Sequence, residues 1–183
     1  MADALLWLDF ETDGLDTATC VPLEYHAAVT PYYDPLTIVD EITVVIGAWE
    51  RDREPVPDDY VQKMHEDSGL WDDCRASTTN EEVARATLTY VALSAGRRFD
   101  RVLLAGSGVH FDRAIVNQQW GGDVFKPLHY RVVDVSVLRE AARMAGVALY
   151  ERNRLHRAKA DVDDSRAELV YYRDMLVRGG RDG

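Results

Sequence analysis

Short blocks of apolar and polar residues alternate along the chain, and their period switches repeatedly between that of a strand and that of a helix. The first block, Leu5-Leu6-Trp7-Leu8, reads as a buried strand running into Asp9-Phe10-Glu11-Thr12. Side chains on a strand alternate faces, so Asp9 and Glu11 point the same way. Thr12-Asp13-Gly14-Leu15 follows as a turn and leaves the two acids at an open strand end. Leu23 to Thr30 carries a second short strand, in which His26 reads as a packed or surface residue rather than a ligand. Ile38 to Trp49, centred on Ile42-Thr43-Val44-Val45-Ile46, is β-branched and predicts a third. Three successive strands with short connections suggest an antiparallel meander. Arg51 to Asp59, with Pro55 and Pro57, is a loop.

The pattern then becomes helical. Tyr60 to Glu66 is a short candidate ended by Ser68-Gly69-Leu70. Thr78 and Thr79 stand three residues before Glu81 and Glu82 as overlapping capping boxes. Ala84, Leu88, Val91 and Ala95 follow at helical spacing, and Gly96 closes the segment. Val102-Leu103-Leu104-Ala105 is a buried strand leading into Gly106-Ser107-Gly108, and a helix from near Phe111 runs to Trp120. Tyr130 to Val133 is a short strand, and Ser136 is positioned to cap a helix that ends at Gly146. The last helix begins near Asp161, with Val162, Ser165, Leu169, Tyr172 and Leu176 as one buried stripe. The whole is a mixed-sheet α/β domain over residues 1–177, with 178–183 as a frayed tail.

Composition narrows the function. A chain of 183 residues suits one domain that buries roughly 70% of its unfolded surface. No apolar run approaches the ~20 residues that span a bilayer, and Met1-Ala2-Asp3 does not open a signal peptide, so no membrane is expected. The only cysteines, Cys20 and Cys74, form neither a disulfide framework nor a zinc motif, which points to a reducing cytoplasm. The net charge of −11 argues against a long basic groove for extended nucleic acid. It leaves room for a small anionic substrate held through metal ions, which bring their own positive charge.

An isolated D-x-E is more often a strand surfacing into solvent than a site. Asp112 alone reads as a helix-start acid favoured by the macrodipole. His156 and Asp161, flanked by Arg152, Arg154, Arg157 and Lys159, read alone as a solvated loop and a helix start. Together, however, Asp9, Glu11, Asp112 and Asp161 are four carboxylates at element ends with a histidine beside the last. Oxygen-only ligation suits Mg²⁺ or Mn²⁺, and two such ions ~3.5–4 Å apart can clamp the attacking and leaving oxygens of a phosphodiester. His156 is then placed to act as general base for the attacking water.

This ordered set resembles the DEDDh 3′→5′ exonucleases of the RNase H-like fold, and among them the oligoribonuclease family most. The first motif is matched by Asp9-Phe10-Glu11-Thr12-Asp13-Gly14-Leu15, the second by Gly106 to Phe111-Asp112-Arg113, and the third by His156-Arg157-Ala158-Lys159-Ala160-Asp161. Similarity continues between motifs, at His65-Glu66-Asp67-Ser68-Gly69-Leu70, Arg75-Ala76-Ser77-Thr78, His129-Tyr130-Arg131, Asp134-Val135-Ser136-Val137-Leu138 and Ala167-Glu168-Leu169-Val170-Tyr171-Tyr172-Arg173. The resemblance implies an α/β fold with a mixed sheet flanked by helices. It also implies two divalent ions, Mg²⁺ or Mn²⁺, and hydrolysis of short single-stranded RNA, or short DNA, to 5′-mononucleotides by a homodimer.

The same resemblance assigns further roles. Leu15 would wedge against a base, and Tyr60 stands where the family has a stacking tryptophan. His65 and Arg131 would hold the terminal phosphate, and Tyr130 would reach across from the second subunit. Gly108 replaces a phosphate-binding serine, although Ser107 is adjacent. His26, the longer polar stretch Tyr32 to Asp40 with Pro35, and Lys159-Ala160 also depart from the family pattern. Three alternatives remain open: a general single-strand RNA or DNA exonuclease, an inactive exonuclease fold used for interaction, and an acidic mimic of nucleic acid that occupies a partner.

Overall fold

The computed structural model describes residues 2–47, 59–153 and 155–179. β1 (Asp3–Thr12), β2 (Pro22–Pro31) and β3 (Asp40–Val45) form the expected antiparallel meander, and β4 (Arg101–Gly106) and β5 (His129–Asp134) add in parallel on the other side of β1. The sheet order is β3-β2-β1-β4-β5, so β1 is central.

Period-two alternation on β1 divides the core in two. Ala4, Leu6, Leu8 and Phe10 face one side, where they pack with Ala84, Leu88, Val91, Ala92 and Ala95 of α3 (Glu81–Arg98). Leu5 and Trp7 face the other, with Ala105, Val135 and Val162 beneath α5 (Val135–Met144) and α6 (Ala158–Gly179). Each fully buried large side chain contributes about 1.5–3 kcal/mol. Along the second face the residues after Trp7 are Asp9 and Glu11, so one continuous face turns from apolar to acidic within four residues. Phe10, between the acids, is fixed from the opposite side by Trp120 and Tyr25, with ring centroids 5.2 and 5.4 Å away. Those two rings are anchored in turn, the Tyr25 hydroxyl donating to the Ala84 carbonyl and Trp120 Nε1 to Glu81.

Several boundaries differ from expectation for local reasons. Gly69 adopts φ 73° and begins a separate short helix, α2 (Leu70–Ala76), after α1 (Asp59–Asp67), where the sequence reading ended the helical segment. The cap of α3 is Asn80, whose side chain accepts from Val83 N, rather than Thr78 or Thr79. α3 also passes through Gly96 to Arg98. α4 (Val109–Ile115) starts two residues before Phe111 and continues as a π-helical segment, Val116–Gly121. Asp134, not Ser136, caps α5, accepting from Ser136 N. α6 begins at Ala158, and its stripe stops short of Leu176, which is 70% exposed. The predicted loop before Asp59, the end of the third strand at Trp49 and residues 180–183 of the predicted tail lie outside the described residues. Among the described residues no helix is long and apolar enough to cross a membrane.

Gly106 ends β4 beside β1, and a Cβ there would lie 2.7 Å from the Leu8 carbonyl oxygen. Backbone on a central strand cannot retreat cheaply. Gly106→Ala should therefore lower stability by about 1–3 kcal/mol, as overpacking does, read as a shift in the denaturant midpoint. An unchanged midpoint would show that the two strands have slack at this point.

Candidate active site

Asp9 and Glu11 leave β1 on the face that α6 crosses, and Asp161, in the first turn of α6, meets them there. A carboxylate oxygen from each of the three lies within 4.8 Å of the others. Asp112 stands behind this group rather than in it. It occupies the first turn of α4, is 4% exposed, and accepts a hydrogen bond from Phe10 N at 3.0 Å.

Crowding like charges in a half-buried place is unfavourable unless they are protonated or neutralised. Burial, then repulsion from Asp112, Glu11 and Asp161, holds Asp9 well above the usual carboxylate range. Burial first, and then Asp161 and Glu24, push Glu11 up to about 8. Burial also raises Asp112 to about 8, although the Phe10 N–H works against it. Asp161 is raised by burial as well, with His156 and Arg152 opposing. The donor set is oxygen-only, mutually repelling and half-buried, which fits divalent magnesium or manganese and no soft metal. Asp9, Glu11 and Asp161 could hold such ions, with Asp112 close enough to Asp9 to complete the expected set of four.

His156 sits just before α6, in a left-handed conformation with φ 51°, uncommon for a residue with a side chain. It lines a cavity of about 470 Å³ with Tyr60, Lys63, Met64, Ser68 and Leu155. Tyr60 and His156, assigned separate roles from the sequence, thus share one pocket wall. Leu15 is 84% exposed on the loop after β1. That loop is pinned by the π-helical segment: Gln119 donates to the Thr17 and Cys20 carbonyls and Gln118 accepts from Thr17.

Other sequence-predicted residues are placed differently. His65 is fully buried, its Nε2 donating to the Thr12 carbonyl at 2.8 Å, and burial lowers its pKa. It therefore supports the strand end that carries Glu11 and offers no surface to a phosphate while that bond holds. Tyr130 and Arg131 are exposed on β5, the guanidinium 5.5 Å from the ring centroid. Ser107 and Gly108 follow β4, and Gly108 has φ 83° with open space where a side chain would be. Asp134 occupies the amides of that turn, accepting from Gly108 N and Val109 N. His26 is buried opposite Asp9 on β2, and its Nδ1 pairs with Thr43.

The sequence reading gave no role to Glu24, placed Asp134 only in a stretch of family similarity, and treated Arg152 and Arg157 only as parts of a basic loop, Arg157 also within the third motif. Glu24 faces Glu11 across the β1–β2 pair. Arg152 joins Arg139 on the buried Glu168, at 2.6 and 2.7 Å, and its charge favours ionised Asp9 and Asp161. A signal for Glu24 was available, since it is the one carboxylate in a largely apolar strand.

The chain is similar to known proteins over most of its length. The chain is 36% identical to an oligoribonuclease of Rhodococcus jostii (strain RHA1), over 94% of this chain and 87% of the relative. It is 35% identical to an oligoribonuclease of Streptomyces coelicolor (strain ATCC BAA-471 / A3(2) / M145), over 96% and 88%. No family model matches the chain. Among solved structures, a product-bound exonuclease I superposes with a TM-score of 0.64 at 16% identity, over 97% of this chain. An E. coli exonuclease I in complex with a 5cy-dA13 oligonucleotide gives 0.63 at 16% identity, over 90%. The chain spans 46% and 39% of those two proteins, and the likeness is one of fold.

The raised carboxylates set a pH dependence. Glu11 moves from 4.5 to about 8 and Asp112 from 3.8 to about 8, so between these limits the folded protein keeps protons that the unfolded chain has shed. Stability without metal should accordingly fall as pH rises from about 5 to 8. Excess Mn²⁺ should offset the fall, increasingly so at higher pH, because it binds the ionised carboxylates. Thermal melts at both pH values, with chelator and with Mn²⁺, check this; a metal-free midpoint that climbs steadily from pH 5 to 8 would contradict it.

Proposed function

The chain belongs to the oligoribonuclease family, and from that premise we propose that it is a metal-dependent 3′→5′ exoribonuclease that hydrolyses short oligoribonucleotides to 5′-mononucleotides. The observation that carries the reading is the convergence of Asp9, Glu11 and Asp161 within 4.8 Å, with His156, which interacts with Asp161, lining a pocket together with Tyr60. Two divalent cations in that carboxylate group would supply the positive charge that stabilises the attacking and leaving oxygens of the phosphodiester.

The remaining work falls to the chain's own residues. His156 takes the proton of the attacking water. Tyr60, exposed at the start of α1, offers a ring face to the terminal base, and Leu15 presses on the other side of the step. Arg131, over the Tyr130 ring, gives a guanidinium for the phosphate at the far end of a very short strand. β5 is an edge strand of the sheet among the described residues, which is how Tyr130 would serve the neighbouring subunit of a homodimer. The net charge of −11 favours short substrates, since every further phosphate adds repulsion that the local cations do not offset.

The central test is a ladder of labelled RNA and DNA from two to twenty nucleotides, digested with Mn²⁺. Release of 5′-mononucleotides from the 3′ end, fastest on the shortest RNAs, is expected, and equal efficiency at two and twenty nucleotides would remove the length preference. His156→Ala should cost ~10²–10⁴-fold in kcat, the usual worth of a general base, while a Mn²⁺ titration by calorimetry stays near wild type. An unchanged rate would remove His156 from the chemistry.

Length discrimination has its own readout. Arg131→Ala should weaken dinucleotide cleavage more than cleavage of a longer strand, by roughly 1.5–3 kcal/mol for one charge-assisted bond. A uniform loss at all lengths would mean that Arg131 holds no end of the substrate. A monomer by light scattering would remove Tyr130 from the shared pocket.

A further inference from the structure

We propose that Glu24 and Arg157 form a clamp that holds His156 in its working position, so that both are positioning residues for the reaction. The inference rests on the exoribonuclease reading for what His156 does, but the clamp itself rests on geometry.

Glu24 is 2% exposed on β2, directly opposite Glu11 and on the same sheet face. A buried carboxylate beside another acid needs a partner, and its partner is Arg157. Nε donates to Oε2 at 2.9 Å and Nη2 to Oε1 at 3.0 Å, the paired geometry that fixes both planes. Glu24 Oε2 also accepts from Ala158 N at 3.2 Å, so a strand carboxylate occupies a free amide at the N-terminus of α6. The same guanidinium reaches the Ser68 carbonyl at 3.3 Å and Asp73 at 2.8 Å. One side chain thus ties β2, the α1–α2 turn and α2 to the residue that immediately follows His156.

Two features make the clamp act on His156 rather than on the acids. His156 has φ 51°, a conformation uncommon for a residue with a side chain and held by its surroundings, and the clamped Arg157 is its direct neighbour. Asp161 lies inside α6, which has anchors of its own: Val162 and Ser165 are buried, and Arg166 donates to the Pro35 and Leu36 carbonyls. Asp161 N also donates to the Arg157 carbonyl at 3.0 Å, a backbone bond that the side-chain clamp does not make, so opening the clamp frees the histidine more than the helical aspartate. The clamp also sorts the acids, since Arg157 takes Glu24 and leaves Asp9, Glu11 and Asp161 for metal.

The test uses the full chain carrying Glu24→Gln, Arg157→Lys, His156→Ala or Glu24→Gln with His156→Ala. In Glu24→Gln, kcat on a short RNA should fall about tenfold or more, with KM and the calorimetric Mn²⁺ affinity within about threefold of wild type. The His156 imidazole resonance, followed in ¹⁵N-histidine-labelled protein without metal or substrate, should move toward that of a mobile peptide. Arg157→Lys, which keeps the charge but loses the paired bonds, should show the same pattern in milder form and serves if the glutamine variant does not fold. The double variant should be no slower than His156→Ala alone. An unmoved resonance with unchanged kcat overturns the clamp. So does a loss that simply adds to that of His156→Ala, or one that comes with loss of Mn²⁺ binding. Should His156→Ala itself retain full activity, the general-base reading fails, and the resonance still decides whether the clamp exists.

Discussion

Like charges forced together on one sheet face are the constraint around which this protein is arranged. β1 is the central strand, and its second face continues from Leu5 and Trp7 to Asp9 and Glu11 without leaving the interior. A polar end on a central strand is costly, because the acids cannot turn to solvent without shifting the register of every residue behind them. The cost is maintained by the packing of the opposite face, where Phe10, Tyr25 and Trp120 hold the backbone between the two carboxylates. Its result is a group of carboxyls that bind protons tightly in the absence of a cation and are ready for one.

The surrounding charges are distributed so as not to cancel this. Arg157 is spent on Glu24 and Asp73, and Arg139 and Arg152 on Glu168, each through short charge-assisted contacts. These guanidiniums moderate the field around the acids without becoming their partners. Buried ion pairs of this kind add little net stability, but removing one member leaves an uncompensated charge and costs about 3–5 kcal/mol. Their value here is positional, since both sets connect α6 or the segment before it to other elements.

The proposed substrate side is built from looser parts. Leu15, Tyr60 and Tyr130 are largely exposed, on a loop, a helix start and an edge strand. Rigid acids at the centre and adaptable aromatic and apolar residues at the rim suit a ligand whose phosphate chemistry is constant while its bases vary.

Much of this was legible in the sequence. Strand period fixed which residues share a face with Asp9 and Glu11, and the resemblance of the ordered motifs to the exonuclease family pointed to Asp112, His156 and Asp161. Local signals also competed with one another. Asn80 outcompeted Thr78 and Thr79 as a cap, and the helix through Asp112, expected to run to Trp120, does so with a π-helical end from which Gln118 and Gln119 bond the loop carrying Leu15. Whether a polar residue faces substrate or the interior was beyond the sequence altogether. His65 looked like a phosphate contact and is buried against Thr12, while Glu24 looked like one more strand residue and ends up under the start of α6. The sequence by itself determined that Asp9 and Glu11 share a face, since that follows from backbone periodicity. Only the tertiary structure decided which charges meet, since pairs such as Glu24 and Arg157, 133 residues apart, are chosen by how α6 lies across the sheet.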